Sequence, residues 1–421
     1  MSRYDVLVAG AGPAGLAAAH AAAAHGARVG IVDDNPLAGG QIWRGGPDQQ
    51  KDGRAQRMWS DLLAASNVIR LPQTRVLYAP APGQLRVQTP TSAATLHYEK
   101  LILATGARER LLPFPGWTLP GVTGAGGLQA LSKGGYPVQG KRVVVAGSGP
   151  LLLAVAATLR AKGAEIVAVV EQAPLRALAR FGIGLLATPS KITQALQLAA
   201  QLGGIPYLRN SHVHSAHGDG TLQSILIQRG GARELEALQC DYLACGYGLL
   251  PNVELAQALG CATVSRNGHT SVQVDEEQHT SVSGVYCAGE GTGVGGVDLA
   301  LAEGRIAGLM ASGQHTAAQE LHAERARWEK FAARLERAFA LRPELLALAG
   351  DDTIVCRCED VCHGELRTHT SWRSAKLQTR CGMGPCQGRI CGGATELLYG
   401  WRPDAVRVPI SPARVASIIN D

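Results

Sequence analysis

The sequence YDVLVAGAGPAG, residues 4–15, decides the fold of the N-terminal region of the chain. Its apolar beginning predicts a buried strand, and the Ala-rich stretch that follows predicts a helix. Between them lies a G-x-G-x-x-G motif whose turn and first helical residues are Gly10, Gly12, Pro13, Ala14 and Gly15. A second apolar strand, residues 28–32, ends at Asp33. This order of strand, glycine turn, helix, strand and acid predicts a Rossmann unit with a nucleotide site.

Each position of this motif has a physical role. Gly10 makes the tight turn, Gly12 lets the backbone approach a pyrophosphate, and Gly15 lets the helix pack closely on the strand. The helix N-terminus offers free N–H groups and the positive end of its dipole to phosphates. Asp33 can accept a hydrogen bond from a ribose 2′-OH, which favours FAD or NAD over a nucleotide with a 2′-phosphate. A tight turn without a ligand is the alternative.

Later segments extend this site. They are GGQ at 39–41 with Arg44, LILATG at 101–106, and SGVYCAGE at 283–290 followed by GVGGVDLALA at 293–302. The set resembles the two-nucleotide flavoprotein reductase fold, in which the FAD domain is split in sequence, and the resemblance implies FAD at the first site. Outside the glycine motif and Asp33, the candidate FAD contacts are Gly40, Gln41, Arg44, Val76, Ala104, Thr105, Gly106, Gly289, Glu290 and Val297.

The same resemblance assigns roles to three of these positions. The backbone at about Val76 would face the adenine. Glu290 stands where that fold usually has an Asp that contacts the ribityl chain, so its side chain is longer by one methylene. The helix that begins near Val297 would direct the positive end of its dipole at the flavin ring, where it would stabilise negative charge on the reduced flavin.

A second glycine motif lies in KRVVVAGSGPLL, residues 141–152. Its candidate nucleotide contacts are Gly147, Gly149, Pro150, Leu151 and, at the end of the next strand, Glu171. Leu152 stands where the first motif has its third glycine, so we expect it to push helix and strand apart or to alter the turn. This unit either binds NAD or another adenine nucleotide such as ATP, or is a structural relic. The predicted fold class is α/β, with a split FAD-binding Rossmann domain and an inserted second Rossmann domain.

Six of the ten cysteines lie in VCRCEDVC, residues 355–362, and TRCGMGPCQGRIC, residues 379–391. Two close pairs separated by a helical segment can converge on one metal centre, and neighbouring glycines let backbone N–H groups turn toward the sulfurs. The predicted ligands are Cys356, Cys358, Cys386 and Cys391, with Cys362 and Cys381 as alternates. A four-thiolate zinc site is the alternative to an iron–sulfur centre.

The length of 421 residues predicts two to four domains. We expect a split FAD-binding domain (1–115 and 251–315), a second nucleotide-binding domain inserted into it (116–250), a helical linker (316–350), and a cysteine domain with a C-terminal tail (351–421). The net charge of +6 is spread along the chain, which argues against nucleic-acid binding. Without an export signal or a long apolar run, we expect a cytoplasmic protein with reduced cysteines, and membrane association through partners stays open.

Together, several segments resemble the α-type subunit of heteromeric dye-linked dehydrogenases, a group that includes subunits of opine oxidases, D-hydroxyproline and proline dehydrogenases, and hydrogen cyanide synthase. They are ATGARERLLPFPGWTLPGV (104–122), GSGPLLLAVA (147–156), AGEGTGVGGVDLALAEGRIAG (288–308), CRCEDV (356–361) and RCGMGPCQGRIC (380–391). The cysteine segment resembles the small [2Fe–2S] domain related to bacterioferritin-associated ferredoxin. In that comparison Cys381 does not fall on a ligand position.

The resemblance implies an electron relay with FAD and a [2Fe–2S] cluster. A partner β subunit with its own flavin would oxidise an amino acid or opine such as D-hydroxyproline, proline, an opine or glycine, and a small third subunit is an option. This chain would pass the electrons to a quinone, a dye or the respiratory chain. The sequence offers no convincing general acid or base, so we predict no catalytic residue. The alternatives are an NAD(P)H-dependent flavin reductase that feeds its own cluster, and a redox sensor or scaffold.

Overall fold

The computed structural model describes residues 3–50, 52–232, 234–266, 268–403 and 406–419. The chain forms two compact units. Unit 1 comprises Met1–Arg108, Leu250–Ala332 and Ala405–Asp421, and unit 2 comprises Glu109–Leu249 and Ala333–Asp404. The finer division into five segments stays a prediction. Among the described residues, no helix combines the length and apolar character that crossing a bilayer requires.

The strands of the described residues are, in chain order, β1 (Arg3–Ala9), β2 (Val29–Val32), β3 (Val68–Leu71), β4 (Arg75–Tyr78), β5 (Gln84–Gln88), β6 (Ala93–Leu103), β7 (Ala107–Glu109), β8 (Val122–Gly124), β9 (Arg142–Gly147), β10 (Glu165–Glu171), β11 (Tyr207–Arg209), β12 (Ser211–His217), β13 (Ser224–Arg229), β14 (Leu235–Gln239), β15 (Tyr242–Gly246), β16 (Leu249–Pro251), β17 (Thr263–Arg266), β18 (His269–Val272), β19 (Val285–Cys287), β20 (Ile354–Cys356) and β21 (Val361–Cys362).

The α-helices are α1 (Pro13–Ala24), α2 (Gly53–Ala64), α3 (Ala125–Lys133), α4 (Leu151–Ala161), α5 (Leu175–Gly184), α6 (Pro189–Gln201), α7 (Glu254–Ala258), α8 (Val297–Ala311), α9 (His315–Gln319), α10 (His322–Ala338), α11 (His363–Leu366), α12 (Trp372–Thr379), α13 (Cys391–Tyr399) and α14 (Ala416–Ile419). Short 3₁₀ turns lie at Pro47–Gln49, Leu185–Ala187, Gly289–Gly291 and Pro343–Ala347.

Unit 1 is built on a sheet with the strand order β3-β2-β1-β6-β5-β4, and β19 also pairs with β6. β1 runs parallel to β2 and to the C-terminal half of β6, and β19 runs parallel to β6 on that same half. The N-terminal half of β6 pairs antiparallel with β5. The parallel region is the predicted Rossmann sheet, and β19 completes it from a distant place in the sequence. The predicted α/β Rossmann fold of this region is therefore confirmed.

Helices α1 and α8 pack against each other in the core of unit 1. Both helices are buried over most of their length, and most of the α1 residues are alanines, whose small side chains allow a short distance between the axes. A Cβ added to Gly304 would overlap the backbone oxygen of Ala14, and one added to Gly308 would overlap that of Ala18. Two α8 glycines one turn apart therefore let the two backbones touch.

Unit 2 repeats the parallel pattern with the strand order β11-β10-β9-β15-β8. The motif helix α4 connects β9 to β10, which run parallel, as the second glycine motif predicts. A separate antiparallel sheet, β12-β13-β14, packs its apolar residues into the same core. Unit 2 thus contains a second Rossmann-type arrangement of parallel strands and a connecting helix.

The cysteine segment forms a small hydrophobic core of its own in unit 2. A hairpin of β20 and β21 and the helices α11 to α13 surround a core that includes Leu366 and Trp372. The chain then returns to unit 1, where the N–H of Ile410 donates to the backbone oxygen of Leu77 at 2.8 Å. The guanidinium of Arg86 donates to the backbone oxygen of Ser417 at 3.0 Å. The C-terminal tail therefore packs on the β4–β5 hairpin.

We expect the substitution Gly308→Ala to destabilise the protein by about 1–3 kcal/mol, because the added methyl overlaps the α1 backbone, which cannot move aside as a side chain could. Gly182→Ala is the matched control. Gly182 lies in helix α5 with nothing near its Cβ position, so alanine there should stabilise by up to about 1 kcal/mol. Urea unfolding of the three proteins measures both effects. Equal stability of the two variants would contradict the close contact between α1 and α8.

Candidate functional site

The first glycine motif can be formed only by glycines at two of its positions. Gly10 has a φ of 112°, and a Cβ added there would overlap the backbone oxygen of Ala104. A Cβ on Gly15 would overlap the backbone oxygen of Gly10. Gly12 precedes the first helical residue, Pro13, and its Cβ position lies 3.8 Å from the Cα of Gly40. The turn, the helix N-terminus and the Gly39–Gly40 loop are thus brought together, as predicted.

Asp33 fixes this turn from the end of β2. One of its carboxylate oxygens accepts a hydrogen bond from the N–H of Ala11 at 2.7 Å, and the other accepts from the backbone and side chain of Asn35 at 2.8 and 2.9 Å. Asp33 is buried. An ionised carboxylate has about four acceptor positions, so capacity for a ribose hydroxyl remains. The contact with the ribose stays a prediction.

The turn Ala104–Gly106 is held by a residue that the sequence did not identify. The side-chain N–H of Asn252 donates to the backbone oxygen of Thr105 at 2.9 Å, and the Thr105 hydroxyl donates to that of Asn252 at 2.7 Å. The backbone N–H of Asn252 also donates to Gly106 at 2.9 Å. Asn252 lies 147 residues from Thr105, so no local pattern could reveal this contact.

Two glutamates contact the turn after β19: Glu290, which lies in the turn, and Glu303, which is buried in α8. The N–H of Gly289 and the Thr292 hydroxyl donate to one oxygen of Glu303, at 2.7 and 2.8 Å. The N–H of Gly296 donates to Oε1 of Glu290 at 3.2 Å. Burial raises the pKa of each glutamate to about 7. One feature of the sequence indicated that Glu303 has a special role: it is an acid within the mostly apolar segment that forms α8. Val297 begins α8, so the predicted helix N-terminus is confirmed.

Two buried atoms at this site show that the residues fit FAD. Within the described residues, Oε2 of Glu290 and Nε of Arg44 are inaccessible to water and have no hydrogen-bond partner. Buried polar atoms are nearly always hydrogen-bonded, so a buried orphan marks a place for a ligand group. Both residues are predicted FAD contacts, one an acceptor and the other a donor. Gln41 lies in the same loop as Arg44, and Val76 lies in β4, where it pairs with Val87.

The second glycine motif differs in its turn. In the first motif, the N–H of Leu16 donates to Gly12 in the ordinary helical pattern at 2.9 Å. In the second, the N–H of Leu152 donates to Gly149 at 3.1 Å, which closes a tighter turn, and α4 begins only at Leu151, after Pro150. The turn of the second motif thus differs from that of the first, as expected where Leu152 replaces the third glycine. Gly147 has a φ of 144° and keeps the turn role of Gly10.

The acid of the second motif is closed to solvent. Glu171 is fully buried, and its two oxygens accept hydrogen bonds from the N–H groups of Gly149 and Ala173, both at 2.8 Å. Burial raises the pKa of Glu171 to about 7. In contrast to Asp33, whose amide partner Asn35 lies near the surface, this carboxyl faces only the protein. Nucleotide binding at this motif stays a hypothesis.

The predicted thiols lie together in unit 2. The sulfurs of Cys356, Cys381 and Cys391 are all within 4.8 Å of one another, and all three residues are buried. A cavity of about 340 Å³ adjoins them. Its lining consists of Cys356, Cys358, Cys386 and Cys391 with Leu111, Trp117, Arg357 and Ile390. The four predicted ligands thus border one cavity, and the alternate Cys381 lies beside two of them.

Backbone N–H groups point at these sulfurs. Thiol hydrogen bonds from Cys381 and Cys391, together with the N–H groups of Gly382 and Glu359, hold the pKa of Cys356 well below its usual range. The N–H of Cys386 is directed at the sulfur of Cys358. Donors of this kind stabilise thiolates and tune a bound metal centre. The cavity, the thiols and the N–H groups fit an iron–sulfur cluster.

Cys362, the other alternate, lies apart from this group. Its thiol donates to the backbone oxygen of Asp352 at 3.5 Å, and the residue caps helix α11. In the portion of the chain that the structure describes, it belongs neither to the sulfur group nor to the cavity lining.

The profile of the pyridine nucleotide-disulphide oxidoreductases matches residues 4–313, which include the whole split Rossmann domain and the inserted unit. The chain belongs to the pyridine nucleotide-disulphide oxidoreductase family. It is therefore an oxidoreductase, and the family supports FAD as its cofactor.

Within this family, relatives match the whole chain. The A subunit of opine oxidase from Rhizobium meliloti (strain 1021) is 35% identical, over 100% of this chain and 99% of the relative. Hydrogen cyanide synthase subunit HcnB of Pseudomonas aeruginosa is 33% identical, over 98% of each. The structure of L-proline dehydrogenase from P. horikoshii shares the fold, with a TM-score of 0.71 and 19% identity over 100% of this chain and 80% of that one. The predicted resemblance to the α-type subunit of heteromeric dye-linked dehydrogenases is confirmed by these relatives.

We expect Glu290→Ala to weaken FAD binding by about tenfold to a hundredfold, since the buried acceptor is lost. Glu290→Gln keeps an acceptor oxygen and should bind FAD with intermediate affinity. Titration of FAD into the FAD-free proteins, followed by flavin fluorescence, measures this. Glu99→Ala, which removes an exposed partner of Arg3, is the control and should leave affinity unchanged. Wild-type affinity of Glu290→Ala would place the flavin elsewhere.

The raised pKa of Glu290 predicts that the stability of the FAD-free protein depends on pH. A carboxyl whose pKa is raised by burial to about 7 favours folding while protonated, and this contribution is lost as the pH rises through that value. The free energy of unfolding of the wild type should therefore fall relative to Glu290→Gln by up to about 3 kcal/mol between about pH 4.5 and 8. Urea unfolding across this range measures the difference. A difference that does not change with pH would show that Glu290 is not the titrating group.

Proposed function

We propose that this chain is the electron-transfer subunit of a heteromeric dehydrogenase or oxidase that oxidises an amino acid or an opine. It would carry FAD in unit 1 and a [2Fe–2S] cluster in the C-terminal cysteine segment, which would be a domain of the bacterioferritin-associated ferredoxin type. The observation that carries the proposal is the cavity bordered by four thiols in a chain whose remainder forms a FAD-binding oxidoreductase.

The arrangement of the thiols favours a two-iron cluster over a single zinc ion. In a tetrahedral zinc site, all four sulfurs must lie close to one another. Here the sulfurs of Cys356 and Cys391 lie within 4.8 Å of each other. The thiols of Cys358 and Cys386 interact with each other, but neither sulfur lies within 4.8 Å of both Cys356 and Cys391. Two pairs across one cavity match a [2Fe–2S] cluster, in which each iron takes two cysteines.

Cys381 is the thiol we leave out of the ligand set. It lies beside Cys356 and Cys391 but does not line the cavity, and it is 1% exposed. Its thiol hydrogen bond lowers the pKa of Cys356, so Cys381 would act as a neighbour that stabilises a thiolate. The proposed ligands are therefore Cys356, Cys358, Cys386 and Cys391.

When bound, FAD accepts electrons in pairs and the cluster passes them on singly. The protein residues hold and orient these groups. The glycine turn and the start of α1 would hold the pyrophosphate, and the α8 N-terminus at Val297 would face the flavin ring. Gly382 and neighbouring N–H groups would set the potential of the cluster. We assign no catalytic acid or base in this chain.

The names of the relatives support a partner. The opine oxidase and hydrogen cyanide synthase relatives are each named as one subunit of an enzyme, and both match this chain along its whole length. We propose that a flavin-containing β subunit oxidises the substrate, with D-hydroxyproline, proline, an opine and glycine as the candidates. The proposal also includes a quinone or dye as the electron acceptor, a small third subunit and a cytoplasmic location.

The experiment that tests this proposal is the visible spectrum of the purified chain with iron and zinc assays, before and after anaerobic addition of NADH. We expect flavin bands, a broad iron–sulfur shoulder, about two irons per chain and no bleaching by NADH. Bleaching by NADH would favour the NAD(P)H-dependent flavin reductase instead. A colourless protein with bound zinc would rule out both.

Serine variants identify the cluster ligands. We expect Cys356→Ser, Cys358→Ser, Cys386→Ser and Cys391→Ser each to lose most of the iron and the low-temperature electron paramagnetic resonance signal after reduction. Cys362→Ser is the control, because Cys362 belongs neither to the group of close sulfurs nor to the cavity lining among the described residues. Cys381→Ser should keep its iron and change the reduction potential, since a thiol beside Cys356 is replaced. Loss of iron in Cys381→Ser with full iron in Cys386→Ser would overturn this ligand set.

A further inference from the structure

The second glycine motif holds a segment of its own chain. This segment, which we call the strap, is residues 339–342 and follows helix α10. The hydroxyl of Ser148 donates to the backbone oxygen of Phe339 at 2.8 Å. The side-chain amide of Gln172 donates to the backbone oxygen of Ala340 at 3.0 Å and accepts from the N–H of Arg342 at 3.2 Å. Two side chains of the Rossmann unit thus bind three backbone groups of the strap.

These two side chains lie where a nucleotide would be bound. Ser148 is the middle residue of the glycine turn, and Gln172 directly follows the acid at the end of β10. In a Rossmann unit, the glycine turn approaches the pyrophosphate and the acid binds the ribose. The carbonyl oxygens of Phe339 and Ala340 therefore lie at the glycine turn and at the strand end that a nucleotide would face. Gln172 is fully buried under the strap.

The ring of Phe339 lies against the glycine that should admit a pyrophosphate. A Cβ added to Gly149 would be 3.8 Å from Cγ of Phe339, an ordinary van der Waals contact. Phe181 of helix α5 packs edge-on against the same ring, with the centroids 5.2 Å apart. At the first motif, a Cβ added to Gly12 would lie 3.8 Å from the Cα of Gly40, and no other described atom outside the residues next to it in the chain lies within 4 Å. An aromatic side chain covers the second turn, whereas a small loop borders the first.

Contacts on both sides of the segment hold it in place. Before it, the Arg334 guanidinium donates to the backbone oxygen of Gly184 at 2.6 Å. Within it, the Arg342 guanidinium donates to Asn210 at 2.7 Å. After it, Leu345 is buried in the core of unit 2, and the N–H of the Trp117 indole donates to Ile354 at 2.6 Å. The chain is thus anchored up to the hairpin that carries Cys356.

We propose that the second glycine motif is a socket for the strap, which fixes the cysteine segment to the second Rossmann unit and excludes a dinucleotide. Glu171, whose two oxygens bind backbone N–H groups, completes the inner wall of the socket instead of binding a ribose. This inference does not rest on the iron–sulfur proposal, because the contacts that carry it contain no cysteine. It gives a physical reason why the chain would not take electrons from NADH.

Hydrogen exchange of the full-length, FAD-loaded chain, followed by mass spectrometry, tests the socket. With NADH or ATP at millimolar concentration, exchange of residues 147–152 in the wild type should stay unchanged. In the double variant Ser148→Ala, Gln172→Ala, exchange of residues 339–345 should rise about tenfold or more, since the hydrogen bonds to the strap are lost. Gln129→Ala is the matched control, because it removes a hydrogen bond to Thr158 elsewhere in unit 2.

Slower exchange of residues 147–152 with either nucleotide in the wild type would overturn the proposal. Unchanged exchange of the strap in a folded double variant would also overturn it. If the double variant does not fold, the wild-type result decides alone. Iron content is not among these results, so a failure of the socket and a failure of the iron–sulfur proposal are distinguishable.

Discussion

The contact between the glycine turn and the backbone of Ala104 is the constraint on which unit 1 depends. Only a residue without a Cβ can stand at Gly10 or Gly15, and this absence lets α1 begin directly at the ends of β1 and β6. Helix α8 then lies against α1 through Gly304 and Gly308. Helix N-termini and strand ends therefore meet at one place, and free N–H groups at a helix N-terminus favour the binding of phosphates.

The two Rossmann units show how one scaffold can serve two purposes. The first keeps three glycines and leaves two buried polar atoms for a ligand, on Glu290 and Arg44. The second has Leu152 in place of the third glycine, a tighter turn and an acid that binds only backbone. Two parallel β–α–β arrangements of the same kind would thus support ligand binding in one unit and a contact within the chain in the other.

Those elements of the structure that follow from local pattern could be predicted from sequence. Glycine spacing and apolar runs indicated both Rossmann units, and the spacing of the two cysteine pairs indicated that their thiols converge. The clamp by Asn252, the support of Gly289 by Glu303 and the contact of Ser148 with Phe339 could not be predicted. Each depends on a side chain that meets a distant backbone group, and a polar residue within an apolar segment does not specify its partner.

The distance along the sequence between socket and strap has a consequence for biosynthesis. Ser148 and Phe339 are 191 residues apart, so the ribosome completes β9, α4 and β10 long before the strap leaves the exit tunnel. Domains generally fold as units in the order of their synthesis. The cysteine segment therefore reaches a surface that has already folded, and its thiols remain exposed to solvent until that surface binds the segment.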